Sequence, residues 1–143
     1  MKKTTYLVFI VLSTSSFLTH AAKPNCDNLI GDWISDSQST LTFSTIGKEG
    51  QLTGHYIPYQ FAEKPAPLIG WSNTSRPKKD HDNVKVVSFS VNWTKHGAIT
   101  SWSGTCSIEK GIPVIKAIAN LARANSSFSW DHIITDSNRY TPK

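Results

Sequence analysis

The chain has 143 residues, a formal net charge of +5, 38% hydrophobic and 17% charged residues. Setting Lys2 and Lys3 aside with a leader, the 15 basic side chains fall by those two against 10 acidic ones, leaving +3. The length suits one domain with a single core. The densest basic run, "RPKKD" at 76–80, lacks the stripe of cations and stacking aromatics that nucleic-acid binding requires.

Lys2 and Lys3, the apolar run "YLVFIVL" and the small residues Thr19 and Ala21 before "AKP" read as a signal peptide over residues 1–21. A membrane span needs about 20 mainly apolar residues, and this run dissolves into "STSS" well before that. The competing reading is a retained N-terminal anchor. The mature domain is then 22–143, and the destination is secreted or extracellular, with the periplasm as alternative. In an oxidising compartment the two cysteines, Cys26 and Cys106, are expected to pair and tie the N-terminal strand to one deep in the chain. The mature histidines His55, His81, His96 and His132 have no metal-ligand spacing, so no metal is expected.

Down the chain, period two dominates. "STLTFST" alternates Leu41 and Phe43 with hydroxyls, and "GQLTGHYI" sets Leu52, Gly54 and Tyr56 on one face. In "VKVVSFSVNW", Val87, Phe89, Val91 and Trp93 share a face against Ser88, Ser90 and Asn92, which is a strand with one buried side. In "AITSWSGTC", Ala98, Thr100, Trp102, Gly104 and Cys106 align. Near the end Phe128, Trp130, His132, Ile134, Asp136, Asn138 and Tyr140 share parity and read as one more strand. "GKEG", "EKPAP", "SNTSRPKKDHDN", "KHG" and "EKG" punctuate these runs at the spacing of an antiparallel meander, implying a small up-and-down barrel or a sandwich. "VIKAIANLARA" at 114–124 has high helix propensity, and only its neighbours argue for a strand.

Trp33, Trp93, Trp102 and Trp130 each fall in a strand-like run beside Ser, Thr or Asn. An aromatic box with placed polar groups is the composition of a small-ligand pocket, although tryptophans also serve as plain core fillers.

Six segments, "CDNLIGDWISDSQSTLTF", "GQLTGHYI", "PLIGWSN", "VSFSVNWT", "TSWSGTC" and "WDHIITDSN", follow one another as in avidins and streptavidin, so the mature chain from Cys26 to Tyr140 resembles that family. The resemblance implies an all-β, eight-stranded antiparallel up-and-down barrel holding biotin noncovalently at one open end. It also matches Cys26 and Cys106 to the disulfide of the family's bird members. Position by position, Ser39 and Tyr56 match donors to the ureido oxygen of biotin, Asn138 an acceptor from a ureido nitrogen, and Thr100 the hydroxyl that meets the ring sulfur. Trp93 and Trp102 match aromatic walls, Leu121 an aliphatic contact, and Trp130 the tryptophan that a neighbouring subunit lends to close the pocket. Trp130 thereby implies a homotetramer, with a dimer as alternative.

The departures matter too. Ser35 stands where the family usually has an asparagine completing the ureido-oxygen site, and its shorter hydroxyl can act directly or through water. Pro58 replaces a hydroxyl that bonds the second ureido nitrogen, and Ala98 replaces a serine that meets the biotin carboxylate. The loop over 58–65 is shorter than avidin's, and Ala119 falls where a wall tryptophan is expected. Biotin binding weaker than in the tightest members is the implied outcome, with room beside Ala119 for a bulkier conjugate.

No Gly-x-Ser-x-Gly turn, spare cysteine or spaced acid pair supports catalysis, so no enzyme activity and no cofactor beyond biotin as ligand is expected. Two rival functions use the same barrel: a lipocalin-like carrier of another small apolar ligand, favoured by Pro58, Ala98 and Ala119, and a secreted interaction or inhibitor module. Sequons begin at Asn73, Asn92 and Asn125, of which Asn92 lies within a predicted strand.

Overall fold

The structure is a computed structural model that describes residues 23–60 and 64–143. The predicted leader, 1–21, lies outside the described residues. Eight strands follow one another: β1 (Gly31–Ser35), β2 (Thr40–Ile46), β3 (Gln51–Ile57), β4 (Ala66–Ser72), β5 (Lys85–Trp93), β6 (Ala98–Glu109), β7 (Ile112–Arg123) and β8 (Ile133–Pro142). Each pairs antiparallel with the next, and β8 pairs back onto β1, so the sheet closes into the eight-stranded up-and-down barrel that the resemblance implied. Closure removes every free edge and gives each strand one face toward a common interior.

The parity of the sequence maps onto that interior. Val87, Phe89 and Val91 of β5 are buried while Ser88 is exposed, and Ala98, Thr100, Trp102 and Cys106 of β6 are buried against exposed Ile99, Ser101 and Ser103. "GKEG" and "KHG" fall between strands, and "EKPAP" runs into the start of β4 at Ala66. The "EKG" turn is the tightest, with Lys110 at φ 49° and Gly111 at φ 81°, both left-handed as a two-residue hairpin with the twist of its strands demands. On β4, Gly70 faces β5 so closely that a Cβ would stand 2.1 Å from the Ser88 carbonyl oxygen and 2.6 Å from the Phe89 Cβ. The missing side chain is what lets the Phe89 ring enter the barrel.

The helix-prone 114–124 lies almost wholly in β7, laddered to β6 from Glu109↔Ile112 to Ala98↔Arg123 and to β8 from Ile115↔Tyr140 to Ala122↔Ile133. From Ile115 to Ala122 it is paired on both edges, and tertiary context overrides propensity. The final run departs from its reading as one strand. β8 begins only at Ile133, and Phe128, Trp130 and His132 belong to the connection before it. There the Phe128 N–H donates to Ser126 Oγ at 3.2 Å, and the Asp131 N–H reaches the Phe128 carbonyl at 3.4 Å. Local serine hydrogen bonding and turn closure take this backbone out of the ladder.

The connections β1–β2, β3–β4, β5–β6 and β7–β8 share one end of the barrel, the mouth, because strands alternate in direction. At the other end the segment before β1 seals the floor. Leu29 joins the buried core, its carbonyl accepting from Trp33 Nε1 at 3.0 Å, and Cys26 forms a disulfide with Cys106 of β6 across 80 residues of chain. Trp33, Phe43, Phe89 and Tyr140 fill the interior above it.

Removing that cross-link frees a long loop in the unfolded chain, worth about 4 kcal/mol in the chain-entropy account. Cys26→Ser with Cys106→Ser is expected to lower the unfolding free energy by about that amount, read from the denaturant midpoint of the folded variant.

Candidate ligand-binding site

The interior changes character toward the mouth. Phe43 meets Phe89 edge to face at 5.6 Å, Phe89 stacks on Trp102 at 4.9 Å, and Tyr56 lies tilted on Trp102 at 5.1 Å and edge-on to Trp93 at 6.0 Å. One run of rings from four strands thus climbs from the core to the rim. Beyond Phe89 every ring carries a polar atom, and those atoms find partners as buried tyrosines and tryptophans require. Trp93 Nε1 donates to Thr100 Oγ1 at 2.8 Å, and Trp102 Nε1 donates to Asn138 Oδ1 at 2.8 Å across the interior from β6 to β8. Having accepted from Trp93, the Thr100 hydroxyl keeps its own hydrogen to give.

The Tyr140 hydroxyl points at the same Asn138 oxygen from 3.4 Å. Its burial, followed by the neighbouring Tyr56 hydroxyl, holds its pKa far above the usual phenol range, so it remains a neutral donor. Asn138 Nδ2 in turn lies 3.4 Å from Asp136 Oδ2, a long contact. On the β1–β2 side, Ser35 Oγ accepts from the Ser39 N–H at 2.9 Å and shares a hydrogen bond with Ser37 Oγ at 2.9 Å, while Ser39 Oγ accepts from the Tyr59 N–H at 3.2 Å. Ser35, Ser39 and Thr100 are buried polar groups within an apolar barrel, and each is held by a named partner.

Two clefts open beside this constellation. A mouth cleft of ≈ 460 Å³ is lined by Trp93, Thr100 and Leu121 with Pro58, Ala98 and Arg123. A wall cleft of ≈ 510 Å³ is lined by Ser35 and Asn138 with Ala117 and Asp136. It sits where β1 has ended at Ser35, its last pair with β8 being Tyr140, so the part of β8 around Asn138 lacks a β1 neighbour. Tyr56 and Trp102 join the two sides, one touching Trp93 and the other bonded to Asn138. The predicted residues Ser35, Ser39, Tyr56, Trp93, Thr100, Trp102, Leu121 and Asn138 therefore gather around one end of the interior.

Trp130 does not join them. It is 77% exposed in the β7–β8 connection, stacked on Phe128 at 5.3 Å. Ala119 faces inward and is buried, paired with Trp102 on one side and Asp136 on the other, so a methyl stands there where the resemblance expects a wall tryptophan. Arg123 was missed in the sequence. Its parity with Ala119 and Leu121 puts it on the inner face at the rim, but that parity means something only once 114–124 is a strand. Asp136 shares parity with Asn138 and was legible as a face without a role. Among the described residues no three His, Cys, Asp or Glu come together as a metal site.

Residues 23–143 match the family model described as Avidin family. No curated protein sequence matches the chain significantly. Among solved structures the barrel is similar to xenavidin, at 21% identity over 82% of this chain and 98% of that one with a TM-score of 0.69, a likeness of fold. It is also similar to apo shwanavidin, at 29% identity over 80% of this chain and 94% of that one with a TM-score of 0.62. With a family match running from the segment that seals the floor to the last residue of the chain, this protein belongs to the avidin family.

Proposed function

We propose that the chain is a secreted, non-enzymatic protein that holds biotin noncovalently at the mouth of its barrel. The observation that carries this is the linked set Trp93–Tyr56–Trp102–Asn138, with Thr100 bonded to Trp93, standing at the open end of an avidin-family barrel. In this reading Ser39 and Tyr56 donate to the ureido oxygen with Ser35 in support. Asn138 accepts from a ureido nitrogen, Thr100 meets the ring sulfur, and Trp93, Trp102 and Leu121 enclose the bicyclic ring. The Cys26–Cys106 disulfide fits an oxidising compartment and so fits export.

Affinity falls below that of the tightest family members. Pro58 has no side-chain acceptor for a ureido N–H, Ala98 has no hydroxyl, and Ala119, paired with Trp102, offers only a methyl where the family has a wall ring. Each missing neutral hydrogen bond costs about 0.5–1.5 kcal/mol, and the unfilled aromatic wall costs a few kcal/mol more. Biotin complexes of this family start near the ceiling of noncovalent affinity, so saturable binding survives these losses.

The assembly we propose is a homotetramer. Trp130 stands exposed on a loop beside the mouth, in reach of a neighbour, and Ile69, Trp71, Ile99, Ile118 and Ile133 are exposed on the outer wall, an apolar surface suited to subunit contact.

Isothermal titration of the mature chain with biotin is expected to show one ligand per chain. Tyr56→Phe with Ser39→Ala should weaken it about 10- to 100-fold, the value of two modest hydrogen bonds. Silence toward biotin with heat from a lipid or haem would transfer the site to the carrier reading. Ala119→Trp should tighten biotin by at least about tenfold by restoring a wall, and no gain would show that position 119 is not part of the ligand's surroundings. Light scattering should give a tetramer, and a monomer or dimer with and without biotin would overturn that assembly.

A further inference from the structure

The mouth cleft holds one feature that the aromatic site does not use. Arg123, the last residue of β7, pairs with Ala98 across the β6–β7 ladder and lines the same cleft as Trp93, Thr100 and Leu121. An arginine on the inner face of a barrel is costly unless something fixes and satisfies it. Here Asp131 does so: Arg123 Nε donates to the Asp131 carbonyl oxygen at 3.0 Å, and Arg123 Nη2 donates to Asp131 Oδ2 at 2.5 Å. The Arg123 side chain is 32% exposed, and that of Asp131 only 16%.

Those two bonds occupy one edge of the guanidinium fork. The hydrogens of Nη1 have no hydrogen-bond partner among the described residues, and the fork is rigid, so the remaining edge is held in a fixed direction without rotamer freedom left to lose. The rest of the lining suits an anion. His96 and Asn125 share the cleft and bring polar side chains, Thr100 has a hydrogen to give, and among the described residues no Asp or Glu lines it. Asp131 offsets part of the positive charge, so what Arg123 offers a ligand is chiefly oriented charge-assisted donation in a half-buried place, where salt screens less than at the surface.

We propose that Arg123 is the specificity-determining residue at the rim, anchoring the free carboxylate of the ligand's tail and setting a preference for the anionic form over neutral esters and amides. The proposal rests on the biotin reading and deepens it: the ring is gripped inside by aromatic walls, and the tail is gripped at the rim by a guanidinium that Asp131 aims. A carboxylate is the group whose two oxygens match the fork, and Ala98, the residue opposite Arg123, is small enough to leave it space.

Calorimetry with three probes, biotin, biotin methyl ester and biotinamide, tests it on the whole mature protein. The free acid should bind about 10- to 100-fold more tightly than either neutral form, the range for a hydrogen bond to a charged group. In Arg123→Gln that ratio should fall toward one, and Arg123→Lys should restore part of it. Because Arg123→Gln leaves the Asp131 carboxylate unpaired, the double variant Arg123→Gln/Asp131→Asn is run beside it with a thermal melt, and it should show the same collapsed ratio in a folded protein. Equal affinities for all three probes in the unaltered protein, or a ratio that survives Arg123→Gln, overturn the role of Arg123 while the biotin reading stands. Silence toward all three probes overturns the biotin reading and the anchor with it.

Discussion

The hydrogen bond from Trp102 Nε1 to Asn138 Oδ1 joins β6 to β8 through the middle of the barrel, and much else is arranged around it. Trp102 is also the ring on which Phe89 stacks from below and Tyr56 leans from above. The same side chain is therefore packed as core on one face and presented as site on the other. A buried indole N–H without a partner costs about 1–3 kcal/mol, so the fold requires an acceptor at Asn138 before any ligand arrives. Core and site share residues here, and a substitution at Trp102, Tyr56 or Asn138 changes both.

How far these features can be read from the chain depends on how strongly each segment's pattern is set by its own neighbours. β5 and β6 are legible because apolar and hydroxyl residues alternate without a break, and a slip of one position would turn Phe89 and Trp102 out to water. β7 is not, because its inner face carries Ala117 and Ala119, which are equally good in a helix, while Ile118 faces outward. Only the ladders to β6 and β8 decide it. The chain between Ala124 and His132 looks like an extension of β8 by parity, and it is a turn-rich loop because hydroxyls there hold the backbone locally. The eight residues expected around the chain's own ligand gather at one end of the barrel, since strand parity and register transmit directly into position, and Trp130, expected to serve a neighbour, stands on a loop at that same end. Arg123 escaped because its side could be known only after β7 was.

Small residues shape the mouth as much as large ones. Along the inner face of β7 the side chains run Ile115, Ala117, Ala119 and Leu121, so the barrel is tightly filled at the floor and open toward the rim. Packing at the floor fixes the fold, and the unfilled volume higher up is left for a guest. The floor is sealed by Leu29 and by the segment that Cys26 ties down, which leaves exchange with solvent to the rim and the wall cleft.

That wall cleft lies at the weakest seam of the ring. β1 ladders with β8 through three pairs, Trp33 with Pro142, Ile34 with Thr141 and Ser35 with Tyr140, extended by one backbone bond at each end, Asp36 N–H to the Arg139 carbonyl and Lys143 N–H to the Asp32 carbonyl, whereas β6 and β7 are laddered along their whole length. The chain's two terminal strands form this seam, and Ser35 stands on one lip and Asn138 on the other. A guest bonded to both lips closes the circuit that the backbone closes only briefly. Breathing of the barrel along this seam and escape of such a guest would then be a single opening event, and occupancy would protect the amides of β1 and β8 from hydrogen exchange as well as stabilise the fold by mass action.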